Sequence, residues 1–594
     1  MRDEQFPRPL LRRATWESLD GSWEFAVDPD AEWEHPSEVE FDAAILVPFC
    51  PETALSGVQF TGDLSRCWYR RTWQLPADRS ADKRFILHFG AVDWAACVWV
   101  NGDMVGSHAG GHTPFDCEIT QSVSESDELE IIVRADDFPR RRDLPRGKQD
   151  WTARPHEIWY TRSTGIWQTV WLEFTPRTYI AQLDWATEID GPSVSLSAEV
   201  RGNPQPGDLV RVRLCLGESQ LVDDQITVCD VRDRVARIFR TFRLQLAEGD
   251  PADLFWSPDR PTLIDATVDY VGQSETDAVE SYVGIRSVAV ERGRIWLNGE
   301  LLTLGMALDQ GYWPDSGLTA PDMAALRRDV ELVKELGLNG VRKHQKVEDP
   351  RWLAFCDELG VLVWEELPSA HEFSHSAFVS LSNEWMRIIS RDRSHPSIIA
   401  WVPVNESWGL PDLMHNDQHR AALRALASLT AALDPSRLIS ANDGWETWGG
   451  NVLGIHDYTQ DAATLTSRYG SARSVGELFN TLGPEMRTLT LDEFNPDSRA
   501  VVLSEFGGIM LAEDAPDAYG YANAPTTDAW LEQVCALCRA VLYSPVICGY
   551  CWTQLTDTFQ ETNGLVSMDR TPKAPLKRLR AALVGWRLPA DTPR

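Results

Sequence analysis

The sequence predicts two β-sandwiches followed by a C-terminal (β/α)8 barrel, a multidomain β plus α/β architecture. Three observations predict it. The chain has 594 residues, several times the roughly 150 usual for one domain. Its first half reads as short alternating segments between turn signals, rich in aromatic residues. From about residue 300 the pattern becomes apolar strand then helix, repeated.

Residues 1–176 are expected to form a jelly-roll-like sandwich. Phe85-Ile-Leu-His-Phe89 and Val98-Trp-Val-Asn-Gly102 are strand candidates, and Asn101-Gly102 between apolar flanks signals a type I′ hairpin, whose two turn positions need positive φ. Residues 177–288 suit an immunoglobulin-like sandwich, because Val194-Ser-Leu-Ser-Ala-Glu-Val200 and Leu209-Val-Arg-Val-Arg-Leu-Cys215 alternate and no long helical pattern intervenes. After a hairpin at Asn298-Gly299, residues 289–594 carry apolar strand candidates at 301–308, 340–344, 361–367, 398–406, 438–442, 452–458, 501–506 and 547–553. Helical patterns lie between most of them; one starts after Pro321 and ends at Gly337. Eight strands with helical crossovers point to a barrel whose chemistry lies at the carboxyl ends of its strands.

Composition narrows the function classes. The 56 basic and 89 acidic residues leave a net charge of −33, which repels polyphosphate and anionic membrane surfaces and favours a small or neutral partner. The segment from Met1 to Trp16 has no apolar core of a leader, and no run of about 18 apolar residues occurs, so a soluble cytoplasmic protein is expected. Eleven cysteines, an odd number at irregular spacing, suggest reduced thiols. The spacing Cys535-x-x-Cys538 with Cys548-x-x-Cys551 resembles a zinc site. The second pair lies in a strand, where alternation sends the two thiols to opposite faces, so no metal is expected. No nucleotide loop, His-Glu-x-x-His helix or Gly-x-Ser-x-Gly elbow occurs, and no cofactor is expected.

The polar residues that end apolar strands are the candidates for chemistry. The run 398–404 leads directly into Asn405-Glu406, and 501–504 leads into Glu505-Phe506-Gly507. Carboxylates at strand ends are costly unless paired or used, so two of them on strands 4 and 7 suggest a converging pair. Two carboxyls about 5 Å apart permit double displacement at an anomeric carbon. The acid must keep its proton near neutral pH, which a neighbouring negative charge favours. Asp309-Gln310, Lys343-His344 and His456-Asp457-Tyr458 follow other strands and are placed to meet sugar hydroxyls.

These residues carry a family resemblance. The run from Arg391 to Glu406, Arg-Asp-Arg-Ser-His-Pro-Ser-Ile-Ile-Ala-Trp-Val-Pro-Val-Asn-Glu, resembles the acid/base signature of glycoside hydrolase family 2, and Leu503-Ser-Glu-Phe-Gly507 resembles its nucleophile segment. Ser18-Leu-Asp-Gly-Ser-Trp-Glu-Phe25, Trp68-Tyr-Arg-Arg71, Thr164-Gly-Ile-Trp-Gln168 and Tyr282-Val-Gly-Ile-Arg286 resemble its sugar-binding and immunoglobulin-like domains, so the likeness covers nearly the whole chain. It implies a retaining exo-β-glycosidase with Glu406 as acid/base, Glu505 as nucleophile and Asn405 as donor to the sugar 2-hydroxyl. It also implies Trp552 under the sugar ring, a supporting place for His395, a carbohydrate substrate and room for a homo-oligomer. The β-glucuronidases of the family carry an Asn-x-Lys clamp for the uronate, whereas the corresponding run here is Glu561-Thr-Asn-Gly564. A galactoside or α-L-arabinopyranoside is therefore favoured. The cations of Arg140-Arg-Arg142 and Pro145-Arg-Gly-Lys-Gln149 keep a galacturonide or glucuronide as the alternative. A non-catalytic carbohydrate-binding protein is the rival from another class, and transglycosylation through the same covalent intermediate is an enzymatic one.

Overall fold

The computed structural model describes residues 5–75, 83–124, 128–152, 154–246, 249–512 and 516–585. The N-terminal sandwich packs an antiparallel six-stranded sheet, with Arg66–Gln74 and Glu128–Asp136 at its centre, on a four-stranded sheet containing Lys83–Phe89 and Val170–Pro176. Alternate residues of both sheets, among them Trp23, Phe25, Tyr69, Leu87, Phe89 and Val133, form one buried core between the layers. Asn101 and Gly102 take φ of 50° and 88° and join Ala95–Val100 to Asp103–Ala109, as the hairpin signal predicts.

The second sandwich begins at Tyr179–Glu188 and ends at Thr276–Val283, with two four-stranded antiparallel sheets. In Ser193–Arg201 the apolar residues Val194, Leu196, Ala198 and Val200 are all buried, as strict alternation requires. A short three-stranded sheet follows, Val288–Glu291, Arg294–Leu297 and Glu300–Leu301, turning at Asn298-Gly299. Its Ile295 and Leu297 join the core inside the barrel and so close the barrel's amino end.

Eight parallel strands then form the barrel: β1 (Leu304–Asp309), β2 (Gly340–Lys343), β3 (Leu362–Glu366), β4 (Ile398–Val402), β5 (Leu438–Ile439), β6 (Val452–Asp457), β7 (Ala500–Gly507) and β8 (Ile547–Thr553). The ladder runs β5-β4-β3-β2-β1-β8-β7-β6. Between β5 and β6 the ladder is replaced by Asn451, whose backbone N–H donates to Ile439 O at 3.1 Å while its side-chain oxygen accepts from Ile439 N at 2.7 Å. Residues 440–451 between these strands form a loop in place of a crossover helix. Inward residues such as Met306, Leu308, Trp364, Ala400, Val402 and Val502 fill the barrel, and a larger core lies between strands and helices. Cys548 and Cys551 both join the inner core, against the expectation from alternation. The cause is an irregular pairing of β7 with β8, where Gly549 has φ of 153°. Cys538 packs in the outer core instead, so the four thiols do not converge. No helix among the described residues is long and apolar enough to cross a membrane.

The first domain reaches the carboxyl end of the barrel through the loop at 146–149. The backbone N–H groups of Arg146 and Gly147 both donate to Ser369 O at 3.1 Å, and His371 Nε2 meets Gly147 O at 2.9 Å. Gly147 has φ of 57°, and a Cβ there would lie 2.2 Å from the backbone oxygen of Gln345, so the approach requires glycine. Gly191 has φ of 69° with no neighbouring atom within 4 Å. Gly191→Ala therefore pays only the left-handed backbone cost of about 1–2 kcal/mol, whereas Gly147→Ala also displaces the loop. We expect Gly147→Ala to lower the thermal midpoint more than Gly191→Ala and to remove hydrogen-exchange protection across residues 146–149. Equal effects of the two substitutions refute a tight docking of this loop.

Candidate active site

The site begins with the alternation of β2. Val341 packs in the outer core, so Arg342 points to the barrel axis and Lys343 points outward again. The Arg342 guanidinium is fully buried and radiates to four strand ends. Its Nε donates to Glu366 Oε2 at 2.9 Å, its Nη1 to Glu505 Oε1 at 2.8 Å and its Nη2 to Asn405 Oδ1 at 2.6 Å. Nη1 also lies 2.7 Å from Asp443 Oδ2. A planar fork with fixed donor directions suits this role, because each carboxylate and amide is oriented by a separate N–H. The bond to Asn405 Oδ1 turns the amide Nδ2 toward other partners, yet that buried nitrogen has none among the described residues.

Glu406 lies four residues beyond β4, not on it, and the chain there is held by Glu406 N donating to Asp443 O at 2.9 Å. Glu406 and Ser407 have φ of 51° and 58°, a left-handed pair that non-glycine residues adopt where the surroundings impose it. Glu505 lies on β7, its Oε2 accepting the Tyr458 hydroxyl at 2.6 Å. Between the two carboxylates stands His456 of β6. Its Nδ1 is 2.6 Å from Glu406 Oε1, and its Nε2 is 3.0 Å from Asp443 Oδ2 and 3.3 Å from Glu505 Oε1. One oxygen of Glu406, one nitrogen of His456 and one oxygen of Glu505 lie within 4.8 Å of one another. A cation would fit such a spacing, but the imidazole and Arg342 already bring positive charge to it.

Burial sets the electrostatics and the charges around it decide them. Desolvation pushes the Glu505 carboxyl up, but His456, Arg342 and His344, with the Tyr458 hydroxyl, hold it well below the usual carboxylate range. Burial works to lower the His456 pKa, and the charge of Glu505 with hydrogen bonds to Asp443 and Glu406 reverses this, raising it to about 10. Burial and the charge of Glu505 push the Tyr458 phenol well above its ordinary value, so it is a neutral donor.

Six of the ten residues singled out in the sequence thus meet at one place: Glu406, Glu505, Asn405, His456, Tyr458 and His344, whose Nδ1 is 3.2 Å from Glu366 Oε2. Four do not present themselves there. Lys343 is spent outward, its Nζ 2.7 Å from Asp309 Oδ2, 3.1 Å from Glu348 and 4.0 Å from the Trp352 ring centre, so Lys343 and Asp309 neutralise each other within the wall. His395 precedes β4 at its amino end, with Nδ1 2.6 Å from Asp357 Oδ2, and lines a cleft of about 380 Å³ between the domains. Trp552 belongs to the outer core and is fully buried, 5.1 Å from the Phe506 ring, with no open face for a sugar. The next residue, Thr553, faces inward instead and lies 3.3 Å from the Tyr458 hydroxyl. Arg342, Glu366 and Asp443 were missed. The signal for Arg342 was present, since it shares a face of β2 with His344.

A wall of aromatic rings borders the site on the side of the first domain. Trp408, two residues past Glu406, lies 5.0 Å from the Trp159 ring and 6.1 Å from His344. Trp159 in turn touches Trp151 and His371 at 4.9 and 4.7 Å. Tyr160 donates to the Glu561 carboxylate, which Asn563 Nδ2 also meets at 3.2 Å. Of the basic cluster, Arg140, Arg141, Arg142 and Arg146 are paired with Asp63, Asp143, Glu372 and Asp137. Lys148 differs. It is 5% exposed, its Nζ lies 5.5 Å from the Trp159 and Trp408 ring centres and 5.6 Å from that of Tyr160, and no carboxylate among the described residues pairs with it.

Comparison with known proteins agrees with this architecture. The description "Glycosyl hydrolases family 2, TIM barrel domain" matches residues 288–586, and "Glycosyl hydrolases family 2, sugar binding domain" matches residues 32–139. A β-galactosidase of Thermoanaerobacter pseudethanolicus is 29% identical over 348 residues, 57% of this chain and 44% of that protein. A β-glucuronidase of Streptococcus agalactiae is 23% identical over 561 residues, 88% of this chain and 86% of that protein. The chain spans less than half the length of several curated relatives that it matches. Among solved structures, a β-galacturonidase of Eisenbergiella tayi superposes with a TM-score of 0.73 at 20% identity, covering 98% of this chain and 99% of that one. A β-D-glucuronidase of Dictyoglomus thermophilum gives 0.76 at 18% identity, again covering 98% and 99%. The barrel, the sandwich before it and the paired glutamates at the barrel mouth place this chain in glycosyl hydrolase family 2.

Proposed function

We propose that the protein is a retaining exo-glycosidase that removes a terminal sugar by double displacement. The observation that carries this reading is the spacing of the carboxylates. An oxygen of Glu406 and one of Glu505 lie within 4.8 Å, close to the roughly 5 Å of retaining enzymes and short of the about 6.5–9.5 Å that inverting enzymes need for a water. A Glu505 oxygen attacks the anomeric carbon as the bond to the aglycone oxygen breaks and Glu406 protonates that oxygen. Glu406 then takes a proton from water, whose oxygen attacks the anomeric carbon and releases Glu505. The positive charges of His456 and Arg342 overcome burial and keep Glu505 ionised for attack, and Nδ2 of Asn405, without a partner among the described residues, is a donor for a sugar hydroxyl. The loop of the first domain and the segment around Gln560, whose amide donates to Glu157 O and Trp159 O at 2.8 Å, wall off one side, which favours a chain end over a chain interior. Glu505→Gln is expected to lower kcat by at least about 10³-fold with binding retained. Measurable turnover within tenfold of the parent refutes the nucleophile assignment and, with it, double displacement through Glu505.

For the sugar, Lys148 favours a uronide over the neutral galactoside or arabinopyranoside that the sequence alone suggested. An ammonium this buried without a counter-ion is costly, and a sugar carboxylate supplies the missing charge. Glu561, which stands in the run that replaces the uronate clamp, is tied to Tyr160 and Asn563. The test is kcat/KM on p-nitrophenyl β-D-galacturonide, β-D-glucuronide, β-D-galactoside and α-L-arabinopyranoside for the parent and Lys148→Met. We expect a uronide to be preferred, with a loss of about 2–4 kcal/mol in the variant, 30-fold to several hundred-fold, and little change on the neutral sugars. A preference for galactoside that is unaltered by Lys148→Met returns the assignment to a β-galactosidase.

A further inference from the structure

His456 sits between the two carboxylates and contacts both. Its ring is fully buried, and both nitrogens face acceptors: Nδ1 faces Glu406 Oε1 at 2.6 Å, and Nε2 faces Asp443 Oδ2 at 3.0 Å and Glu505 Oε1 at 3.3 Å. A ring with acceptors on both edges has its lowest energy with a proton on each nitrogen. The groups that face it are Glu406 after β4, Asp443 after β5, Glu505 of β7, Arg342 of β2, whose Nη1 is 3.3 Å from Nε2, and Glu485 of the segment Pro484–Met486, with the Trp445 ring 5.9 Å away. Without Glu406, the ring faces one cation, Arg342, and three carboxyl groups, Asp443, Glu505 and Glu485. This surplus of negative charge favours the imidazolium, and its bond to Glu406 has a consequence for the acid. Oε1 of Glu406 is engaged by an N–H and takes no proton on that side, whereas Oε2 has no donor among the described residues.

We propose that His456 is the positioning residue of the acid/base: as an imidazolium it binds Oε1 of Glu406 and so confines the transferable proton to Oε2, the oxygen left free to meet the substrate. When Oε2 releases its proton to the departing oxygen, the new carboxylate keeps the Nδ1–H hydrogen bond already in place, so the positive charge stabilises the product of the transfer with no rearrangement. The same charge on its other edge helps keep Glu505 ionised. The inference rests on the retaining-glycosidase reading but concerns a residue outside the two reacting carboxylates.

The experiment has two arms. In the intact protein, selective ¹⁵N labelling of histidine reports both ring nitrogens of His456, identified by its loss in His456→Asn. We expect both to be protonated at pH 8. A neutral ring at pH 7 overturns the proposal, and this arm stands even if no glycoside is hydrolysed. In the second arm, kcat/KM is measured for the 2,4-dinitrophenyl and methyl glycosides of the sugar that the parent prefers. The dinitrophenyl group leaves without a proton, whereas the methoxyl group needs one. His456→Asn is expected to lose on the order of 10²-fold on the methyl glycoside and less than a tenth of that on the dinitrophenyl glycoside. Equal losses on both aglycones mean that His456 only supports the structure. The Glu505→Gln control on the dinitrophenyl glycoside separates a failure of this inference from a failure of the glycosidase reading. If His456→Asn does not fold, His456→Gln supplies both the assignment of the ring nitrogens and the kinetic comparison.

Discussion

A guanidinium with no contact to water must be surrounded by negative charge, and the barrel of this protein is arranged around that requirement. Arg342 is reached by Glu366, Asn405, Asp443 and Glu505, which come from β3, the loops after β4 and β5, and β7. Each partner is also a fixed point for chemistry. Asn405 has its amide orientation set, Asp443 anchors His456 and the backbone of Glu406, and Glu505 is kept ionised. Removing one member of such a buried network typically costs about 3–5 kcal/mol, because the remaining charges stay buried. The catalytic face therefore depends on one side chain that touches no substrate atom in the proposed reaction.

The open end of the barrel needs the first domain. The ladder is incomplete between β5 and β6, and the loop in that gap carries Asp443 into the site. On the opposite side, Gly147 lets the first domain pack against the backbone of Gln345, and the aromatic residues that follow it form a wall shared with Trp408 of the barrel. Lys148 arrives on that same loop. The sandwich domain thus supplies part of the pocket, and the polarity of that pocket is decided at a domain junction.

The errors of sequence reading have a common physical origin. Lys343 was singled out because it follows a strand and Trp552 because the family resemblance implied it, yet each is the residue that alternation sends toward the helices, whereas Arg342 and Thr553 beside them point to the axis. His395 was singled out on the family resemblance, but β4 runs between it and Glu406 and puts them at opposite ends of the barrel. The same periodicity that identifies a strand also assigns its faces, and a β-strand of four or five residues leaves no margin for error of one position.

What the sequence by itself determined is the order of domains, the barrel, and the two glutamates, one just past strand 4 and one on strand 7, because these follow from local patterning: alternation, strand–helix repetition, and polar residues interrupting apolar runs. His344, His456 and Tyr458 were legible on the same ground. Only the tertiary structure decided that His456 links the two glutamates, that Arg342 gathers the strand ends, and that one lysine of five basic residues in a loop has no counter-ion among the described residues. Those facts depend on charges brought together from positions up to about 160 residues apart, such as Arg342 and Glu505. The energy of a buried charge is set by neighbours in space, and a linear pattern carries no record of them.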